Sequence, residues 1–135
     1  MTATLGPAPG FVKYSNYMIQ ISTSDAQWSA HVGGLVLANS HRALILEETG
    51  YERVVYFPRE DVSISDLHMT VDKTTCPFKG EAQYFATSAS KGGDSIAWSY
   101  PATYGEVAAV QGYIAFYPEK VMLQETPIAL GDTQS

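Results

Sequence analysis

Three basic side chains, Arg42, Arg59 and Lys79, are the residues of this sequence best placed to bind an oxygen anion or a carbonyl oxygen. Arg42 directly precedes an apolar run at 43–46. A guanidinium in such a setting needs a carboxylate or an anionic ligand, because an unpaired buried charge is costly. Two interpretations stay open: Arg42 binds a ligand, or it forms an ion pair. The carboxylates available for such a pair are Glu47, Glu48 and Asp61.

Two adjacent acidic residues, Glu47 and Glu48, close the run that follows Arg42. Side chains of a strand alternate between its two faces, so these two carboxylates point in opposite directions. The same alternation places Glu48 on the face of Leu44 and Leu46. Only one of the two acids can face a shared interior, and the sequence leaves open which one does.

A second charged group, Arg59–Asp61, follows a strand that ends at Pro58. Residues just beyond a strand end project at the rim of a sheet, where functional sites often form. Arg59 is therefore a candidate for ligand binding and Asp61 for proton transfer. The alternative is a solvated charge run, or an acidic first helical turn that the helix dipole favours.

The segment Thr74–Gly80 combines a threonine pair, the single cysteine and a lysine. A nearby ammonium lowers the pKa of a thiol, so Lys79 could activate Cys76. Lys79 could also bind an anion or, if desolvated, act as a base or form a Schiff base. The alternative for Cys76 is an inert, buried packing role, which is the common one for cysteine.

Aromatic side chains are numerous and recur near the charged segments. Trp98 and Tyr100 share one face of a predicted strand because they are two residues apart. Such residues either form plain core or line a planar ligand, with tyrosine hydroxyls as polar contacts. The candidates for such a wall are Tyr56, Trp98, Tyr100 and Tyr117.

Short strands separated by turn signals position these residues. The spacing predicts about eight strands in a mainly β, antiparallel sandwich or barrel-like architecture. One short helix is predicted at 104–111, so a βαβ arrangement is excluded. Residues 22–30 are predicted to be turn-like, and Lys73–Gly80 to be an irregular loop. The predicted strands cover 11–21, 31–38, 43–48, 53–57, 81–87, 95–100, 113–117 and 121–123.

Length and composition fit one small domain of 135 residues. We predict an extended lead-in at 1–10, a single domain at 11–124 and a C-terminal tail at 125–135. The net charge of −6 disfavours a nucleic-acid partner. No apolar run has the length of a membrane span, and the first ten residues lack the basic and apolar regions of a signal peptide.

Metal and redox signals are weak. A single cysteine excludes an internal disulfide and a cysteine-based zinc cage, and favours a reducing cytoplasm. The histidines, His31, His41 and His68, lack metal-ligand spacing. We therefore expect no metal and no cofactor, and a homodimer is left open.

Several segments in this order resemble the 427 family of domains of unknown function, which carries a nucleotidyltransferase-like label. The resemblance covers roughly residues 11–123. The residues that carry it are Gly34, Ala38–Ser40, Arg42–Leu44, Glu47, Glu48, Tyr56–Val62, Thr75–Gly80, Tyr84, Ala97–Pro101 and Gly112–Pro118.

The resemblance implies a β-tent, in which two antiparallel sheets lean together over a pocket. It favours Glu47 over Glu48 and strengthens Arg59 and Asp61 as site residues. Most tent-fold relatives hold a structural zinc with four cysteines, which this chain lacks, and Phe78 replaces the tyrosine usual in the family. No Gly-Ser with paired aspartates and no P-loop is present, so the sequence does not support nucleotidyl transfer.

Together these features predict a small, cofactor-independent enzyme that acts by acid/base chemistry on a small anionic or carbonyl-bearing metabolite. Arg42, Arg59 and Lys79 would hold its oxygen, and Glu47, Asp61 or Lys79 would move a proton. Cyclisation, isomerisation, dehydration and hydrolysis all fit. The alternative is a non-catalytic module that binds a small molecule in the same pocket. Further predicted ligand contacts are Tyr56, Thr75, Cys76, Trp98, Tyr100 and Tyr117.

Overall fold

Ten β-strands make up most of the domain in the computed structural model, which describes residues 6–10, 16–88 and 94–126. The strands are β1 (Ile19–Thr23), β2 (Gln27–Val32), β3 (Leu35–Ser40), β4 (Leu44–Glu48), β5 (Val54–Phe57), β6 (His68–Cys76), β7 (Gly80–Ala86), β8 (Ala97–Ser99), β9 (Ile114–Phe116) and β10 (Met122–Thr126). Short 3-10 turns cover Arg59–Asp61, Ile64–Asp66 and Gly105–Val110.

The strands form two sheets whose neighbouring strands are all antiparallel. The larger sheet has seven strands in the order β1-β4-β5-β9-β8-β7-β6, and the smaller has three in the order β10-β2-β3. The predicted mainly β fold with two antiparallel sheets is confirmed. None of the helices in the described residues is long and apolar enough to cross a membrane.

The main hydrophobic core lies between the two sheets. The larger sheet contributes alternate residues such as Val55, Phe57 and Phe116, and the smaller contributes Trp28 and Leu37. Complete burial of one such side chain stabilises the fold by about 1.5–3 kcal/mol. Alternate residues of these strands point into this core, so the intervening residues of β4, β5, β8 and β9 face the other side of the larger sheet.

That second face is covered in part by residues Gly105–Val110, which pack Val107 and Val110 against Leu46 and Tyr56. The segment was predicted to be a helix, and it forms 3-10 turns with a non-helical residue at Val107 (φ −121°). Two buried valines three residues apart suit the three-residue repeat of a 3-10 turn.

The prediction of one strand over residues 31–38 and a turn over 22–30 is wrong. Gly33 and Gly34 lie in a two-residue turn with φ values of +53° and +84°. Positive φ at both positions is what a tight hairpin requires, and glycine adopts it without a steric cost. The chain therefore folds back, so that β2 begins at Gln27 and pairs with β3.

The prediction of an irregular loop over residues 73–80 is also wrong for residues 73–76. Thr74, Thr75 and Cys76 belong to β6 and pair with the start of β7. Threonine favours the pleated conformation, and the pairing with β7 extends the strand to Cys76. The predicted strand at 11–21 is described only from residue 16, and its regular pairing begins at Ile19.

The described part of the lead-in is hydrogen-bonded to the domain. Gly105 N donates to Gly6 O (2.7 Å), and Gly10 N donates to Pro77 O (2.9 Å). The backbone N of Ala8 donates to Glu106 Oε1 at 2.9 Å. At the other end, β10 extends into the predicted tail as far as Thr126.

Removal of the Ser99 hydroxyl should not destabilise the protein. Ser99 is fully buried in β8, and its Oγ has no hydrogen-bond partner within the described part of the chain. A buried hydroxyl without a partner carries a desolvation penalty, so Ser99→Ala should leave the free energy of unfolding unchanged or raise it by about 1 kcal/mol.

Urea unfolding checks this prediction, with Ser40→Ala as the control. Ser40 is equally buried, but its Oγ donates to Asp61 Oδ2 at 2.6 Å and accepts from Arg42 N at 2.9 Å. Its replacement should lower the free energy of unfolding by about 1–3 kcal/mol. A similar loss for Ser99→Ala would show that the Ser99 hydroxyl has a partner.

Candidate functional site

A cavity of about 280 Å³ opens on the second face of the larger sheet. Three aromatic residues of its lining, Tyr84, Trp98 and Tyr56, belong to one cross-strand row. In this row Tyr84 pairs with Trp98, Trp98 with Ala115, and Ala115 with Tyr56. Paired residues of neighbouring strands share a face, so the register alone places these aromatic rings side by side. The full lining comprises Glu48, Tyr51, Glu52, Val54, Tyr56, Lys79, Tyr84, Trp98, Tyr100 and Tyr117.

The charged centre of this cavity is an ion pair between Lys79 and Glu48. Lys79 Nζ lies 2.6 Å from Glu48 Oε1, and the side chains are only 10% and 9% exposed. Glu48 ends β4, whereas Lys79 lies in the turn between β6 and β7, where its backbone N donates to Cys76 O. Cys76 Sγ is 3.9 Å from the same Nζ.

Tyr17 positions the second oxygen of Glu48. Its hydroxyl donates to Glu48 Oε2, and its ring stacks on Phe78 with centroids 4.0 Å apart. Burial and the neighbouring Glu48 carboxylate both raise the pKa of Tyr17, which therefore stays protonated as a donor. Gly10 lies against the same Phe78 ring, since a Cβ at that position would come within 2.7 Å of it.

The opposite wall is aromatic and carries hydroxyl groups. Trp98 Nε1 donates to the Tyr56 hydroxyl at 3.3 Å, and the Trp98 and Tyr117 rings lie 4.7 Å apart. Burial raises the pKa of Tyr117 to about 12 and raises the pKa of Tyr56 and of Tyr100 further. All three phenols are therefore neutral near pH 7 and offer hydrogen bonds to a ligand.

Five of the residues predicted from the sequence line this cavity: Tyr56, Lys79, Trp98, Tyr100 and Tyr117. Cys76 does not belong to the lining, but its Sγ is in contact with the Lys79 ammonium group.

The other predicted residues lie elsewhere. Arg42 is 61% exposed and pairs with Asp61 at 3.2 Å, which is one of the two interpretations left open by the sequence. Arg59 is exposed, and its Nε donates to Gly112 O at 3.3 Å. Thr75 and Glu47 are also exposed and do not contribute to the cavity lining. The three basic residues thus do not converge on one pocket.

The predicted set lacked Glu48, Tyr51, Glu52, Val54 and Tyr84 of the lining, and also Tyr17, which contacts Glu48. Glu48 occupies the place assigned to Glu47, and the alternation with Leu44 and Leu46 was the signal that could have identified it. Tyr17 had no such signal, because only the tertiary fold brings it to Glu48. No group of three or more His, Cys, Asp or Glu side chains suited to a metal ion occurs in the described ranges.

By its fold and site, the protein is a two-sheet β domain with a buried lysine–glutamate pair in an aromatic cavity. A family model for a domain of unknown function, DUF427, matches residues 20–126. The chain belongs to this family, as the sequence resemblance indicated. No curated protein gives a significant match.

Asp61 should contribute to stability at neutral pH and lose that contribution in acid. The Ser40 hydroxyl first, and then the Arg42 guanidinium, hold the pKa of Asp61 below its ordinary value of 3.8. A carboxylate with a lowered pKa stabilises the folded state above its unfolded pKa and ceases to do so as the pH falls through its folded pKa. The stability difference between wild type and Asp61→Asn should therefore shrink below pH 3.8.

Urea titrations between pH 7 and pH 2 measure this difference, with the exposed Asp66→Asn as the matched control. A difference that is constant over the whole range would contradict the assignment of Asp61 to this ion pair.

Loss of the Tyr17 hydroxyl should lower the stability of the protein without removing the stacking of the Tyr17 ring on Phe78. Tyr17→Phe keeps the contact with Phe78 but deletes the bond to Glu48, so the free energy of unfolding should fall by about 1–2 kcal/mol. Tyr51→Phe, at a residue 71% exposed, is the control and should change little. Equal stability of the two variants would show that the Tyr17–Glu48 bond contributes nothing.

Proposed function

We propose that this chain is a small, cofactor-independent enzyme that acts by acid/base chemistry on a small carbonyl compound. The observation that supports this most is the 2.6 Å pair of Lys79 and Glu48 at the wall of an aromatic cavity. A buried ion pair seldom stabilises a fold more than apolar residues of the same volume would. Its position on a cavity wall is therefore better explained by chemistry than by stability.

In this proposal Lys79 binds the carbonyl oxygen and Glu48 moves a proton. An ammonium group stabilises the negative charge that develops on a carbonyl oxygen in the transition state. A carboxylate within reach of the same substrate can remove a proton from the adjacent carbon and return it elsewhere. Tyr17 on Oε2 leaves Oε1 directed towards Lys79 and fixes the carboxylate plane.

The lining supports a neutral, planar substrate over an anion. Two carboxylates, Glu48 and Glu52, face one ammonium group, so the charged side chains of the cavity sum to a negative charge. The rings of Trp98 and Tyr117 offer flat apolar surfaces, and a volume of about 280 Å³ suits a compound with one ring. The carbonyl-bearing class is thus the better supported of the two classes expected from the sequence.

Cyclisation, isomerisation, dehydration and hydrolysis all remain within this proposal because each uses a polarised carbonyl and a proton transfer. The cytoplasm remains the proposed compartment, on the basis of the single cysteine. Nucleotidyl transfer, named in the family's short label NTP_transf_9, is not proposed, because the sequence lacks its motifs.

A non-catalytic binding module is the second candidate. One observation favours it: the oxygens of Glu48 already accept hydrogen bonds from Lys79 and Tyr17, so the charges of the resting site are matched. Such a site could hold a carbonyl compound without moving any proton.

Proton exchange at a ketone separates these two candidates without knowledge of the natural substrate. The probe is acetophenone in deuterated buffer, followed by NMR of its methyl group. The enzyme proposal expects exchange for deuterium that is faster than in buffer and saturates with acetophenone. A binding module would shift the protein resonances of Trp98 and Tyr117 without faster exchange.

The informative variant replaces both members of the pair, as Glu48→Leu/Lys79→Met. Loss of Lys79 alone would leave a buried carboxylate unpaired, which costs about 3–5 kcal/mol and could unfold the protein. The double variant should stay folded by circular dichroism and lose the exchange activity. The matched control is the double variant Glu47→Leu/Lys73→Met, which replaces two exposed residues. Equal exchange activity of the two double variants would refute the proposal.

A further inference from the structure

We propose that Lys79 acts as a nucleophile and forms an imine with an aromatic aldehyde or ketone bound in the cavity. This inference rests on the proposed function, since it uses the same carbonyl site, but it assigns Lys79 a covalent role. Four features of the described structure support it. They are the burial of Lys79, its contact with Glu48, the contact of its Nζ with Cys76 Sγ, and the aromatic lining of the cavity.

Burial sets Lys79 apart from Lys73 and Lys120, the other lysines within the described ranges. Lys79 is 8% exposed, whereas Lys73 and Lys120 are exposed. Lysine is rarely buried, because its ammonium group is strongly hydrated. An amine held in a cavity away from bulk water is the arrangement in which lysine serves as a nucleophile.

Glu48 supplies the proton acceptor that such a nucleophile needs. An amine attacks a carbonyl only in its neutral form, so one proton must leave Nζ first. Glu48 Oε1 is 2.6 Å from that nitrogen, and no intervening water is required at that distance.

The remaining contacts of Nζ do not block an approach from the cavity. Besides Glu48, the polar contact of Nζ among the described residues is Cys76 Sγ, at 3.9 Å, and Cys76 does not belong to the cavity lining. Lys79 itself belongs to the lining, together with Tyr56, Trp98 and Tyr117. A carbonyl carbon attached to an aromatic ring can therefore reach Nζ while its ring lies among these aromatic side chains.

The step balances with Glu48 as the only acid and base. Glu48 takes a proton from the ammonium group, and the free amine forms a C–N bond as the carbonyl π electrons move to oxygen. Glu48 returns the proton to that oxygen, which gives a carbinolamine. A second proton passes from nitrogen through Glu48 to the hydroxyl group, the C–O bond breaks, and water leaves. The product is a protonated imine, which keeps its positive charge beside the Glu48 carboxylate.

Reductive trapping tests the proposal with benzaldehyde as the probe and sodium cyanoborohydride as the reductant. Peptide mass spectrometry then reports which lysine carries an N-benzyl group. We expect the initial rate at Lys79 to exceed that at Lys73 and Lys120 by about tenfold or more, which is a difference of about 1.4 kcal/mol in barrier height. Excess benzamide, an unreactive carbonyl of the same shape, should protect Lys79 but leave the exposed lysines unchanged.

The role of Glu48 has its own variant and control. Glu48→Gln keeps an oxygen that can accept from Nζ but leaves the buried ammonium charge uncompensated, so it is labelled only under conditions in which circular dichroism shows it folded. There it should lack the preference for Lys79, whereas Glu47→Gln, one residue away on the exposed face, should keep it. Labelling of Lys79 no faster than that of the exposed lysines would overturn the proposal, and preference retained in Glu48→Gln would overturn the role of Glu48. Acetophenone exchange without selective trapping would refute the imine alone, and absence of both would refute the proposed function as well.

Discussion

The ion pair between Lys79 and Glu48 constrains the shape of the larger sheet. β4 and β7 are separated by β5, β9 and β8, so four inter-strand steps of about 4.8 Å would place them about 19 Å apart in a flat sheet. That distance is more than a lysine and a glutamate side chain span together. The 2.6 Å contact is possible only because the sheet curls, and the curl turns its second face into the concave wall of a cavity. Ala115, at the centre of the cross-strand row, has a side chain small enough for Trp98 to reach across β9 to Tyr56.

The same curvature explains why the site combines ionic and phenolic groups. The concave face carries Lys79, Glu48 and Glu52 together with tyrosine and tryptophan rings. Burial raises the pKa of Tyr56 and of Tyr100, so the cavity contains neutral donors beside the Lys79–Glu48 pair. Lys79 supplies the ammonium group of this lining, at which a carbonyl group would be polarised.

Much of the fold follows from local sequence patterns, and less of the site does. The strands at Leu44–Glu48 and Val54–Phe57 were predictable because apolar runs end at clear turn signals. The Gly33–Gly34 hairpin was missed because apolar residues on both sides suggest one continuous strand. β6 was missed because threonine and lysine become strand residues only when β7 pairs with them.

The site shows the same division between local and tertiary information. Alternation along β4 was sufficient to place Glu48 opposite Glu47, although the family resemblance favoured Glu47. The spacing of Trp98 and Tyr100 was likewise sufficient to group them. No local pattern could show that Arg42 would be satisfied by Asp61, 19 positions away, or that Tyr17 would reach Glu48, 31 positions away. These contacts depend on how the sheet closes.

The location of Tyr17 and Gly10 bears on how the domain should be delimited. The family match begins at residue 20, yet Tyr17 holds one oxygen of Glu48, and Gly10 leaves room for the Phe78 ring beneath Tyr17. A fragment cut at the start of the family match would keep every strand of the larger sheet except the first residue of β1. It would nevertheless lose the groups that orient the carboxylate. In this protein the boundary of the recognisable domain and the boundary of its chemical unit are different positions in the chain.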